Sequence, residues 1–149
     1  MNRRTATALA LTAASALALA GCDSADSGPE LKVTGAYMPQ PVTQKMAGAF
    51  LVVENTGGTD DKLTSVTSDL ADDVSIHKTT GNKMEQVNSL PIPAHEELTL
   101  SRGGNHLMFM GLKKKPSAGD KITVELHFGT SDPVKVEVPV KDAAYTPKK

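Results

Sequence analysis

Two runs near the C-terminal end constrain the fold most. Ile122, Val124, Leu126 and Phe128 alternate with Lys121, Thr123, Glu125 and His127, and Val134, Val136, Val138 and Val140 alternate in the same way. A period of two places each apolar set on one face of a strand, and no helix uses that pattern. Between the runs, Gly129-Thr130-Ser131-Asp132 supplies turn chemistry, so residues 121 to 140 are expected to form a β-hairpin.

The rest of the chain after residue 30 continues in the same manner. Further strands are expected at 31–36, 47–54, 62–67, 73–78, 84–88, 97–101 and 106–112, separated by turns such as Asn55-Thr56-Gly57-Gly58, Gly103-Gly104-Asn105 and Ala118-Gly119-Asp120. Eight or nine short strands with no long amphipathic helix argue for an all-β Greek-key barrel or sandwich. With 149 residues, three Phe and no Trp, the chain has material for one modest core. Sixteen basic and 17 acidic residues are scattered along it, leaving neither the basic footprint of a nucleic-acid binder nor an acidic tail.

The first 21 residues have the three parts of an export signal: Arg3 and Arg4, an apolar run from Ala6 to Ala20, and small residues before Cys22. Leu19-Ala20-Gly21-Cys22 is similar to a bacterial lipoprotein cleavage box, in which the Cys is lipidated and becomes the first residue of the mature protein. The expected organisation is a signal peptide over 1–21, the lipidated Cys22 and a flexible linker over 22–30, a β-domain over 31–140 and a frayed polar tail over 141–149. Acyl chains on Cys22 would tether the domain to the cell membrane on its extracytoplasmic side. Cys22 is the only cysteine, so the folded domain would hold neither a disulfide nor a thiolate metal site.

A soft-metal site in such a domain falls to Met and His, and one strand is rich in both. In Asn105-His106-Leu107-Met108-Phe109-Met110, Leu107 and Phe109 serve the core face, which turns His106, Met108 and Met110 to the other. Upstream, Val74 and Ile76 alternate with Ser75 and His77. A two-residue turn at Thr80-Gly81 or Gly81-Asn82 would bring Met84 to the face of His77, opposite either His77 itself or residue 79. Two imidazoles and two thioethers suit Cu(I), whereas zinc more often recruits thiolate, more His or carboxylate, and calcium or magnesium wants oxygen. A blue-copper electron-transfer centre lacks its Cys.

From Val74 to Val140 the chain resembles the periplasmic copper chaperones of the PCu(A)C type. Their motif sets His and Met upstream of a His-x-Met element, and here residues 85 to 105, 21 in number, separate Met84 from His106-Leu107-Met108. Leu100 to Met108, Gly111-Leu112-Lys113-Lys114 and Ala118-Gly119-Asp120 add to the likeness, as does Ala47 to Gly58 more weakly. Six residues, 78 to 83, lie between His77 and Met84, fewer than the family usually has there, which a shortened hairpin explains.

The resemblance implies a cupredoxin-like β-barrel binding one Cu(I) through His77, Met84, His106 and Met108. It also implies delivery to the dinuclear copper centre of cytochrome c oxidase, through its copper-bearing subunit or assembly chaperones. Met110 is expected at the rim of the site, His127 in solvent, His95 in a turn, and Met38 and Met46 in loop packing. No nucleophile motif or phosphate loop points to an enzyme, and a monomer is expected. Two other readings remain: a copper-buffering lipoprotein, and a structural or adhesive β-sandwich lipoprotein without metal.

Overall fold

The computed structural model describes residues 27–148. The expected export signal and Cys22 lie outside these described residues. Ten strands and no helix make up the described chain: β1 (Leu31–Pro39), β2 (Met46–Asn55), β3 (Asp61–Ser68), β4 (Ala71–Thr80), β5 (Lys83–Val87), β6 (Leu90–Ile92), β7 (Glu97–Leu100), β8 (His106–Leu112), β9 (Lys121–Phe128) and β10 (Val134–Lys141). The all-β expectation holds, with one strand more than sequence suggested. The addition is β6, three residues with Pro91 at its centre, which pairs with β3 at the edge of the sheet, where a missing N–H is tolerated.

The strands follow one another in the order β5-β4-β8-β2-β1-β10-β9-β3-β6, with β7 also paired to β2. One core joins their inner faces, including Met38, Leu51, Val53, Leu63, Ile92, Leu107, Phe109, Val124, Leu126 and Val138. The hairpin read from the two alternating runs is present, with Val134 opposite Leu126 and Val138 opposite Ile122. Asp61 secures its turn from a neighbouring strand: one carboxylate oxygen accepts from the Lys62 and Thr130 amides at 2.8 and 2.9 Å, the other from the Ser131 amide and hydroxyl at 2.9 and 2.6 Å.

β2 organises the site half of the sheet. Its first part, Met46–Ala49, pairs with β8, and its later part, Leu51–Glu54, pairs with β7 along the same edge. The chain passes from β7 to β8 through a tight loop closed by the Ser101 amide on the Asn105 carbonyl at 2.9 Å. β1 bends at Gly35, whose φ of +61° accompanies a register shift between Thr34 and Tyr37.

Both ends of the domain are more ordered than their composition suggests. Residues 27–30 lie against the turn after β2, with Gly58 donating to the Ser27 carbonyl and Glu30 to the Asn55 side chain. The tail, expected to fray, is docked as far as Tyr145: its ring meets Tyr37 edge-on at 5.1 Å, and Arg102 donates to the Ala143 carbonyl at 2.9 Å.

Candidate metal centre

The pairings of β4 decide which side chains share a face. His77 lies opposite His106, Ser75 opposite Met108 and Asp73 opposite Met110 on one side. On the other, Thr79 lies opposite Met84 and His77 opposite Gln86 across a two-residue Gly81-Asn82 turn. Opposed residues in a ladder point the same way. His77, Met84, His106, Met108 and Met110 therefore occupy one outer face, while Ile76, Leu107 and Phe109 between them fill the core.

The two imidazoles form the centre of this face. Their ring centroids are 5.3 Å apart and the planes differ by 23°. His106 is the fixed member: it is buried, and Nδ1 lies 3.0 Å from the Gly104 carbonyl. A carbonyl only accepts, so Nδ1 carries the proton and Nε2 keeps a free lone pair. The same carbonyl accepts from Thr79 Oγ1 at 2.8 Å, and Asn105 Oδ1 accepts from the Thr79 amide at 3.2 Å, so the loop before β8 is tied to β4 beside the rings.

His77 is half-buried and held more lightly. Its Nε2 lies 3.0 Å from Ser75 Oγ, whose own proton points to the Met108 carbonyl at 3.5 Å, leaving Nδ1 as the free nitrogen. Burial lowers its pKa below the ordinary 6.5, the neighbouring His106 lowers it further, and Asp73 opposes both. A nitrogen lone pair lies in its ring plane, so two nearly parallel rings converge on one ion only when at least one turns. His77, with one hydroxyl partner and partial exposure, is the ring with freedom to do so.

The thioethers flank this pair from opposite ends. Met84 stands one strand outward from His77 and two residues along it towards the β4–β5 turn, about 7 Å. Met108 stands two residues beyond His106 in the other direction, about the same distance. Met84 is 64% exposed, whereas Met108 is half-buried and lines a groove of about 480 Å³ with Pro41, Val42, Met46, Phe50 and Arg102.

The other sequence candidates divide. Met110 is on the same face as Met108, opposite Asp73. His127 is half-buried rather than free in solvent, 3.3 Å from Glu125 and 3.4 Å from Thr67 Oγ1. His95 sits in a turn at a φ of +61°. Met38 is fully buried in β1, and Met46 is exposed on β2 directly opposite Met110. Neither packs in a loop, because both strands extend further than their alternation suggested. Met46 is the face residue that sequence reasoning missed; its signal was the even spacing of Met46, Gly48 and Phe50 against buried Ala47 and Ala49.

The fold has counterparts in known proteins. The Cu(I)-bound solution structure of DR1885 from Deinococcus radiodurans is 27% identical, covering 84% of this chain and 85% of that one, with a TM-score of 0.64. The apo PCuAC domain from PmoF1 shares the fold at 23% identity and a TM-score of 0.69, covering 75% of this chain and 93% of that domain. These likenesses bear out the expected PCu(A)C-type, cupredoxin-like architecture.

Among sequences, the protein described as "Putative lipoprotein Lxx21020" of Leifsonia xyli subsp. xyli (strain CTCB07) is 39% identical over 102 residues, 65% of this chain. The match spans 61% of that relative's length. The model of the family described as "Putative lipoprotein LpqE-like" matches residues 31–140, most of the chain, and the chain thus belongs to the LpqE-like lipoprotein family.

Proposed function

We propose that this protein is an extracytoplasmic copper chaperone that holds one Cu(I) between His77, Met84, His106 and Met108. The observation that carries this reading is the pair of opposed imidazoles, each with one nitrogen occupied and one free, flanked by two thioethers on an otherwise solvent-facing sheet surface. Neutral sulfur and nitrogen donors on a rigid sheet favour a soft monovalent ion, and the copper-bound relative of the same fold supports the choice.

The cargo role follows from the site's position. Met84 is exposed on a hairpin and Met108 opens on a groove, so an acceptor's ligands can replace thioethers one at a time without opening the core. The proposed destination is the dinuclear copper centre of cytochrome c oxidase, reached through its copper-bearing subunit or that subunit's assembly chaperones. A lipidated Cys22 would keep the domain at the membrane where such an acceptor resides.

Titration with Cu(I) under reducing conditions, in competition with a chromophoric chelator, tests the site. One tightly bound ion per chain is expected, with that tight binding abolished or much weakened in His106→Ala; unchanged tight binding there and in Met108→Ala rejects the assignment. Mixing the loaded protein with the apo copper domain of an oxidase subunit then tests the role. Transfer supports a chaperone, and retention of the metal favours buffering.

A further inference from the structure

Four of the five methionines among the described residues lie on the same outer face, the fifth being Met38 in the core. Two of the four, Met46 and Met110, have no part in the site above. They are opposed across the β2–β8 ladder, which sets their Cβ atoms about 5 Å apart. They are 49% and 39% exposed, so neither fills the core. Among the described residues only Val42 and Met84 are other large hydrophobics exposed to this degree, so exposed apolar bulk on this molecule is largely thioether.

Met108 completes the group. It precedes Met110 by two residues on the same face of β8 and is the diagonal neighbour of Met46, its direct opposite being Gly48. Gly48 puts no side chain among the three, and the tip of the Phe50 ring, 3.7 Å from where a Cβ would stand, borders the group. Each Met has three rotatable bonds and a polarizable sulfur, so three thioethers rooted this closely can converge on one soft ion. Asp73, opposite Met110 on the other side, adds a negative charge at the rim that favours a cation.

We propose that Met46, Met108 and Met110 form a second, thioether-only station for a soft monovalent cation such as Cu(I), sharing Met108 with the imidazole site. This extension rests on the reading of the face as a copper site. An ion moves between stations by exchanging His77, His106 and Met84 for Met46 and Met110 while Met108 remains bound. Its oxidation state does not change, and the ligands that receive it take up and release no proton.

The station has a definite place in the fold. Met46 begins β2, whereas Asn55 at the other end of β2 pairs with Leu31, where the N-terminal segment joins the domain. Nine residues of strand separate the two, about 30 Å. The thioether station is thus at the end of the face remote from Leu31, where the described N-terminal segment joins the domain, and in this proposal it is the end that offers the ion to an acceptor.

The test is a titration of the full chain, carrying 13C-labelled Met methyl groups, with Ag(I) as a redox-inert stand-in, followed by NMR. With two equivalents, the methyl signals of Met46 and Met110 shift along with Met84 and Met108. In Met46→Leu/Met110→Leu the second equivalent binds at least tenfold more weakly and the first is unchanged. In His77→Ala/His106→Ala, one equivalent still moves Met46, Met108 and Met110. Shifts of Met84 and Met108 with Met46 and Met110 stationary throughout overturn the second station alone. Stationary signals from all four overturn the copper site as well.

Discussion

Acid is expected to weaken Cu(I) binding with a limiting slope of two protons per ion. A ligand imidazole must be neutral, and each one protonated in the apo protein gives up a proton on binding. Between pH 6.5 and pH 5, one imidazole of ordinary pKa costs about 16-fold in affinity and two cost up to about 270-fold. Thioethers contribute nothing, since they do not titrate. Burial and the adjacent His106 lower the pKa of His77, so its share of the loss begins at lower pH and the pair falls short of that ceiling.

The sign for the empty protein follows from the same shift. Below pH 6.5 the unfolded chain takes up the His77 proton before the folded one does, so the fold loses stability as pH falls towards the lowered value. The assay is chelator competition from pH 7.5 to 5, corrected for the chelator's own protonation, on wild type and His77→Ala. The variant's limiting slope drops from two protons to one. A flat profile in wild type, or equal slopes in the two proteins, refutes the assignment of His77 as a ligand.

Met108→Leu keeps volume and removes sulfur, so the domain loses less than about 1.5 kcal/mol while Cu(I) affinity falls at least tenfold; thermal unfolding and chelator competition separate the two effects. Asp61→Asn puts an amide NH2 against backbone donors at the β9–β10 turn and destabilises the fold by about 2 kcal/mol in urea unfolding. Although burial raises the Asp61 pKa, its hydrogen bonds to Ser131, Lys62 and Thr130 outweigh it and the net value is lowered. Its stabilisation is therefore full above the ordinary 3.8 and is lost as pH falls through the lower folded value, an acid sensitivity that Asp61→Asn removes. Cys22→Ser, expressed with residues 1–21 in place, is expected to shift the protein from the membrane fraction to the soluble extracytoplasmic fraction; retention in the membrane refutes lipid anchoring through Cys22.

The sheet was legible where one face of a strand is buried and the other wet. Alternation located β8, β9 and β10 closely, and it showed that His106 and Met108 share a face, because Leu107 and Phe109 so clearly claim the core. The His77–Met84 relation could be narrowed to two registers, and the Gly81-Asn82 turn selects the one with Met84 opposite Thr79. The pairing of β4 with β8, which brings His77 against His106, was beyond local pattern, since non-local pairing is set by how whole strands pack. β6 was hidden by its length and by Pro91. Asp61 was hidden because its partners lie some 70 residues away. Met46 was hidden because β2 starts one residue before its apolar alternation becomes visible.

The proposed site divides into a stiff half and a loose half, a division that would suit a carrier. His106 is buried, its tautomer is fixed by the Gly104 carbonyl, and that carbonyl is tied through Thr79 to the strand bearing His77. These groups need no reordering on binding, so the entropic cost falls on His77 and the two thioethers. Met84 and Met108 are flexible, neutral and reachable from outside. A rigid site made wholly of buried imidazoles would bind well and release slowly, because no incoming ligand could enter before an old one left. In the proposed site, thioethers at the exposed margins would permit stepwise replacement while the imidazoles still hold the ion. If that is how the metal leaves, stiffening the margin with Met84→His slows transfer to an acceptor more than it raises affinity, and stopped-flow transfer beside equilibrium competition measures both. Equal or faster transfer from the tighter-binding variant contradicts the division of labour.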